Sequence, residues 1–242
     1  MAYDLLINNG RIVDGSGMPS YKGDVAVRGG KIAELGRLNG AAERVIDADG
    51  KVIAPGFIDN HCHYDAQVTW DPLCTFSCYH GATSVIIGNC SLAVAPVRAR
   101  DHEKLISMLS QVEAIPMDVL QAGVPWNWES FPQYMDVLDQ KLGVNVGALM
   151  GHTAIRLYAM GEASQERAAS EDELELMRAV VRQGIEAGAL GLSLSRNMSH
   201  FDVQGKLIPA SFAPEPELFA LAEMLGELIS SPPLRRSPSA GR

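Results

Sequence analysis

At 242 residues, with 47% hydrophobic and 20% charged side chains, the chain has the composition of a globular protein with ample material for a core. Its formal net charge of −9, with no basic stripe before residue 235, argues against partnership with a nucleic-acid backbone. No apolar run approaches about 18 residues, and the Met-Ala-Tyr-Asp start lacks the regions of an export signal, so neither membrane association nor secretion is expected.

Residues 3–54 read as short strands: 5–7, 11–13, 24–27, 31–33 and 44–46. Asn9-Gly10, Gly29-Gly30 and Asp49-Gly50 each sit between apolar or β-branched runs, the pattern of a tight hairpin. Residues 1–54 are therefore expected to form a small β-sandwich or part of one. From residue 52 apolar strands alternate with helical segments, which implies an α/β fold with a parallel sheet and helical crossovers. Strands are expected at 52–58, 83–88, 145–150 and 189–195, and helices at about 101–112, about 132–142, 170–188 and 215–229. Pro132 lies in the first turn of the second helix and Gly143 just past its end. Ser170 and Glu173 form a capping box, followed by Leu174, Met177, Val181 and Ile185 at helical spacing. In the last helix Leu218, Leu221, Leu225 and Leu228 or Ile229 mark the buried side. Residues 230–242, rich in Ser, Pro and Arg and without periodicity, read as a disordered, frameshifted or truncated tail.

The chemistry concentrates at Ala54-Pro55-Gly56-Phe57-Ile58-Asp59-Asn60-His61-Cys62-His63. In an extended strand His61 and His63 share a face, with Asp59 of the same parity and Cys62 opposite. Two imidazoles converging at a strand end make half of a divalent-metal site, and zinc suits them. The tripeptide alone is equally compatible with two ordinary polar residues at a strand terminus. Four cysteines, 62, 74, 78 and 90, show no Cys-x-x-Cys pairing, which fits a reduced, cytoplasmic setting. Cys62, Cys74 and Cys78 are expected as core thiols.

Gly-Phe-Ile-Asp-x-His-x-His after a β-rich opening resembles the first barrel strand of the amidohydrolase superfamily. Gly81-Ala82-Thr83-Ser84-Val85-Ile86-Ile87-Gly88-Asn89-Cys90 resembles a second strand ending in a cysteine ligand, a feature of the D-aminoacylase (N-acyl-D-amino-acid deacylase) branch. Gly151-His152 and Gly191-Leu192-Ser193 are also similar to that branch, and the resemblance runs in order from residue 1 to about 229. It implies a β-sandwich portion at 1–54 and the first half, about four βα units, of a TIM-type (β/α)8 barrel at 55–229. It implies Zn²⁺, one or two ions, held by His61, His63 and Cys90. The alternative for Cys90 is a buried structural thiol. The reaction implied is zinc-dependent hydrolysis of the amide of an N-acyl-D-amino acid, with a water acidified from about 16 to roughly 7. The family's general-base aspartate and further histidine ligands are expected beyond Ile229, so this chain alone is expected to be inactive.

Two further residues are candidates for the substrate. His152 ends a strand and either lines a pocket, stands behind a ligand or bonds a loop carbonyl. Arg196, at the end of the fourth strand, has the fork that holds a carboxylate bidentately, although its Ser-Arg-Asn setting departs from the best-known D-aminoacylases. Arg156 is expected as a solvated or loop-bracing arginine. Pro125-Trp126-Asn127-Trp128 is expected to pack a loop onto the barrel. Two readings compete with the deacylase. A cyclic amidohydrolase of the hydantoinase or dihydroorotase kind is disfavoured by Cys90 and by the lack of Lys in 189–197. The other is a metal-binding remnant without activity.

Overall fold

The N-terminal residues build one five-stranded sheet in which the first strand is the organiser. In the computed structural model, which describes residues 2–139 and 142–230, β1 (Tyr3–Ile12) runs antiparallel to β2 (Tyr21–Arg28), and β2 antiparallel to β3 (Lys31–Gly36). Both β4 (Ala42–Asp47) and β5 (Val52–Ile53) run parallel to β1. Gly29 and Gly30, both at positive φ, make the expected hairpin between β2 and β3. The other two turn expectations are corrected. Asn9-Gly10 lies inside β1, where the two residues between Ile7 and Gly10 oppose the single residue between Val25 and Gly23. The extra residue is a bulge. Asn9 takes a φ of 61° there, and its N–H and side-chain amide donate to Asp24 and Asp47. Asp49-Gly50 turns the chain out of β4 and back into β5 without reversing it, since both pair with successive parts of β1.

The expected strand at 52–58 is two strands. Val52–Ile53 belongs to the first sheet, Pro55-Gly56 breaks the run, and β6 (Phe57–Asp59) joins the second sheet beside β7 (Ala82–Ile87). The chain divides into two compact units between Phe57 and Ile58.

In the second unit β7 pairs in parallel with β8 (Asn145–Ala148), and β9 (Met150–Gly151) pairs in parallel with β10 (Leu192–Ser193). The passage expected as one strand over 145–150 changes neighbours at Leu149. The Leu149 N–H donates to Ile87 O, and the Met150 N–H donates to Gly191 O. Three chain segments thus lie side by side, ending near one another at Gly88, Gly151 and Ser193. Gly88 has to be glycine: its φ is 83°, and a Cβ would stand 2.1 Å from the Leu149 carbonyl oxygen.

Around these strands lie α1 (His102–Glu113), α2 (Met117–Gly123), α3 (Phe131–Leu138), α4 (His152–Met160), α5 (Glu171–Glu186), α6 (Pro209–Phe212) and α7 (Glu215–Ser230). α5 begins at the Ser170–Glu173 capping box, and α3 at a second one, Ser130 with Gln133. α3 ends at Leu138, and of its expected continuation to 142 residues 140 and 141 lie outside those described, as does the tail from 231. α4 has no counterpart among the expected helices, because His152 to Leu157 are all buried and show no polar face to set a period. The core joins Val85 and Ile87 of β7, Met150 of β9, Leu105 and Met108 of α1, Met177 of α5 and Leu221 of α7. No helix among the described residues is long and apolar enough to cross a membrane.

Candidate metal centre

β6 ends at Asp59, so His61 and His63 leave the sheet from its terminus rather than from within a strand. Their rings still meet, edge to face, with centroids 5.5 Å apart. Asp59, which shares their parity, is engaged elsewhere and accepts from the Ser77 hydroxyl at 2.5 Å.

Cys90 comes from the turn after β7. Gly88, Cys90 and Ser91 all have positive φ, the last two at 54° and 66°, so two non-glycine residues occupy a conformation that disfavours them. Such a turn persists only where its surroundings over-determine it. Here they do. The Ser91 N–H donates to Ser193 Oγ at 2.9 Å, the Thr153 N–H donates to Ser91 O at 2.9 Å, and the Ser91 and Thr153 hydroxyls are 3.0 Å apart. Asn89 donates its amide to Cys62 O at 3.2 Å and Ile86 O at 2.7 Å, tying the cysteine turn to the His-x-His segment. Cys62 is the expected inward thiol: it donates to Ile86 O, and burial pushes its pKa up to about 12.

His61 Nε2 stands 3.2 Å from Cys90 Sγ, and one ligand atom from each of His61, His63 and Cys90 falls within 4.8 Å of the others. Tetrahedral zinc with nitrogen and sulfur ligands sets neighbouring donors about 3.5 Å apart, so the spacing suits that ion. His63 Nδ1 is also buried with no hydrogen-bond partner. The residues present therefore fit zinc. Burial, with His61 and His200 nearby, lowers His63 to about 4, so it is neutral at pH 7, as a ligand must be. Burial and Glu113 raise Cys90, which a cation would reverse. Beside them Glu113, at the end of α1, comes within 3.5 Å of His63 Nε2, and buried Asp65 is raised to about 7.

His152 and Arg196, named from the sequence as substrate residues, are not members of this cluster. His152 is fully enclosed at the start of α4, with Nε2 2.7 Å from Glu217 Oε1. Arg156 is a correction: far from solvated, it is completely buried, bonded to the same Glu217 and donating to Ser164 O and Arg167 O at 3.1 Å. Its bracing of the loop after α4 is as expected. Arg196 is about half exposed, 3.5 Å from Glu215. The Trp loop packs inward, with Trp128 buried and its indole N–H donating to Val94 O. Glu113 and Glu217 were invisible as site residues in the sequence. Each reads as an ordinary acidic residue near a helix end, and only the fold supplies its partners.

A family model for the amidohydrolase family matches residues 44–229. The chain belongs to the amidohydrolase family. It is 33% identical over 193 residues to a D-aminoacylase of Alcaligenes xylosoxydans xylosoxydans, covering 79% of this chain and 37% of that protein. Among solved structures it is similar to an N-acyl-D-glutamate deacylase from Bordetella bronchiseptica, complexed with zinc and a phosphonate mimic of the tetrahedral intermediate. That likeness has a TM-score of 0.76 at 31% identity, over 94% of this chain and 44% of the other. A D-aminoacylase studied for its binuclear metal centre aligns with a TM-score of 0.74 at 29% identity, over 92% of this chain and 43% of the other. The amidohydrolase chain described here thus spans less than half the length of these relatives.

Proposed function

We propose that this chain carries the metal-binding opening of a zinc-dependent N-acyl-D-amino-acid deacylase, with a β-sandwich portion followed by about four βα units of a (β/α)8 barrel. The observation that carries the reading is the meeting of His61, His63 and Cys90. Side-by-side parallel strands whose C-terminal ends gather at Gly88, Gly151 and Ser193 support the barrel reading, because barrel enzymes place their chemistry at that end. The D-amino-acid preference rests on the likeness to deacylases.

His61, His63 and Cys90 would hold the ion, which when bound supplies Lewis acidity and an acidified water at neutral pH. The Cys90 turn, braced by Thr153 and Ser193, holds the thiol at the imidazoles. Arg196 is the candidate for the substrate carboxylate. Its pair with Glu215 is long and exposed, of the class worth about 0–1 kcal/mol, so a bidentate carboxylate can displace it. His152 contributes by bracing α7 through Glu217. Among the described residues no carboxylate belongs to the donor cluster, so proton transfer is left to residues outside it. Cysteine in place of a strand-end lysine supports linear amides over cyclic ones.

Two preparations with zinc test the reading. A polypeptide extended to the family's length is expected to hydrolyse N-acyl-D-methionine and to leave hydantoin intact. The 242 residues alone are expected to turn over neither. Hydantoin cleavage without deacylation by the extended form would overturn the assignment.

A further inference from the structure

Glu217, in the first turn of α7, is sealed inside the molecule with its side chain only 3% exposed. It accepts from two fully enclosed side chains one turn apart on α4, the His152 Nε2–H at 2.7 Å and the Arg156 guanidinium. Arg156 is fixed further by donating to Ser164 O and Arg167 O. The start of α4 has no side-chain cap, so the bonds to Glu217 are what hold its first turn from the α7 side.

The same first turn is seated on the turn that carries Cys90. A Cβ on Gly151, where α4 begins, would stand 2.5 Å from Ser91 O and 2.9 Å from Ala93 N, so the two backbones touch directly. The Thr153 N–H, one of the donors that a helix start leaves unpaired, goes to Ser91 O at 2.9 Å. The Thr153 hydroxyl lies 3.0 Å from that of Ser91 and accepts the Ala210 N–H at 3.4 Å. Cys90 and Ser91 both sit at positive φ, so local preference does not keep the thiol in place and the surroundings must. We propose that Glu217 is a positioning residue of the metal centre: by clamping His152 and Arg156 it fixes the start of α4, and with it the turn that carries Cys90. The inference rests on the metal-site reading above, and it ties the centre to a residue 127 positions from its thiol.

The full 242-residue chain tests it, through zinc affinity by chelator competition and amide hydrogen exchange without metal. Glu217→Gln keeps the shape of the side chain but meets two donors with a single carbonyl. It is expected to weaken zinc binding about 2–30-fold, the span of such relayed couplings. Leu138→Ala, a buried truncation in α3, controls for stability loss alone and is expected to leave zinc affinity unchanged. Exchange at the Ser91 and Thr153 amides is expected to quicken more in Glu217→Gln than in that control. Arg156→Met with Glu217→Met leaves no buried charge unpaired, so stability is expected to recover while zinc binding stays weak, because the clamp is gone. This double variant also carries the test if Glu217→Gln does not fold. Zinc affinity equal to that of the unaltered chain in either folded Glu217 variant, or an equal loss in Leu138→Ala, overturns the proposal. If the unaltered chain binds no zinc, the metal-site reading fails, and exchange at Ser91 and Thr153 alone judges whether Glu217 holds the turn.

Discussion

Cys90 Sγ and His61 Nε2 stand 3.2 Å apart although 29 residues separate them in the chain. The thiol reaches that position from a left-handed turn, and the imidazole from beyond the end of a three-residue strand. Cys90→Ser keeps the shape of the turn but replaces a strong metal donor with a hydroxyl. Elemental analysis of the purified variant is expected to show a clear loss of bound zinc; unchanged stoichiometry would remove Cys90 from the ligand set.

The turn depends on Ser193. Its hydroxyl accepts the N–H of Ser91, a residue with no exposed surface. Ser193→Ala leaves that donor buried and unsatisfied, at a cost of about 1–3 kcal/mol. Urea unfolding should register the loss, with a parallel weakening of zinc binding. Stability within error of the unaltered chain would mean that another acceptor takes over.

Glu217 compensates Arg156 and bonds His152 in a fully enclosed group. Glu217→Leu strands a buried guanidinium and is expected to cost about 3–5 kcal/mol. Burial raises the Glu217 carboxyl, but the bonds from His152 and Arg156 outweigh it and hold the pKa low. Burial also lowers His152, against the pull of Glu217. Both folded pKa values are depressed, so both contributions are in place at neutral pH and fade as pH falls. The His152 contribution begins to fade near its unfolded value of about 6.5, and the Glu217 contribution below about 4.3. A Leu variant whose unfolding midpoint matches the unaltered chain at pH 7 would contradict this account.

Asp65 works in the opposite sense. Burial raises its carboxyl to about 7. A raised folded pKa gives stability that is present below the unfolded value of about 3.9 and is lost as pH rises to about 7. Asp65→Asn cannot ionise. Its stability relative to the unaltered chain is therefore expected to improve steadily from pH 4 to 7, read from urea midpoints at several pH values. A difference that stays flat across that range would show that Asp65 is charged in the folded chain.

Arg196→Met bears on substrate sign. In a polypeptide of the family's length, it is expected to raise KM for N-acyl-D-amino acids about tenfold or more and to leave the matching amides nearly unchanged. Equal effects on both substrates would take Arg196 out of the pocket.

Much of this molecule was legible in its residues. Side-chain alternation and the order of apolar runs located β2, β3 and β7, and the Ser170–Glu173 box marked the start of α5, because these depend on neighbours a few positions away. The meeting of His61, His63 and Cys90 was legible for a different reason: few residue types suit zinc, and these three sit at or just past strand ends. The turn signals at Asn9-Gly10 and Asp49-Gly50 misled, since a positive-φ residue serves a bulge or a detour as well as a hairpin. Which of these forms depends on the strand alongside, here β1 with its partners on both sides. The tertiary structure alone decided the charged interior. No local pattern distinguishes Arg156 from a surface arginine, or Glu217 and Glu113 from ordinary helix-end acids. The burial of Arg156 is tolerable only because a partner 61 residues away in the sequence, Glu217, arrives to meet it. Pairing of that kind is a property of the folded contact, and a buried charge becomes affordable only once the contact exists.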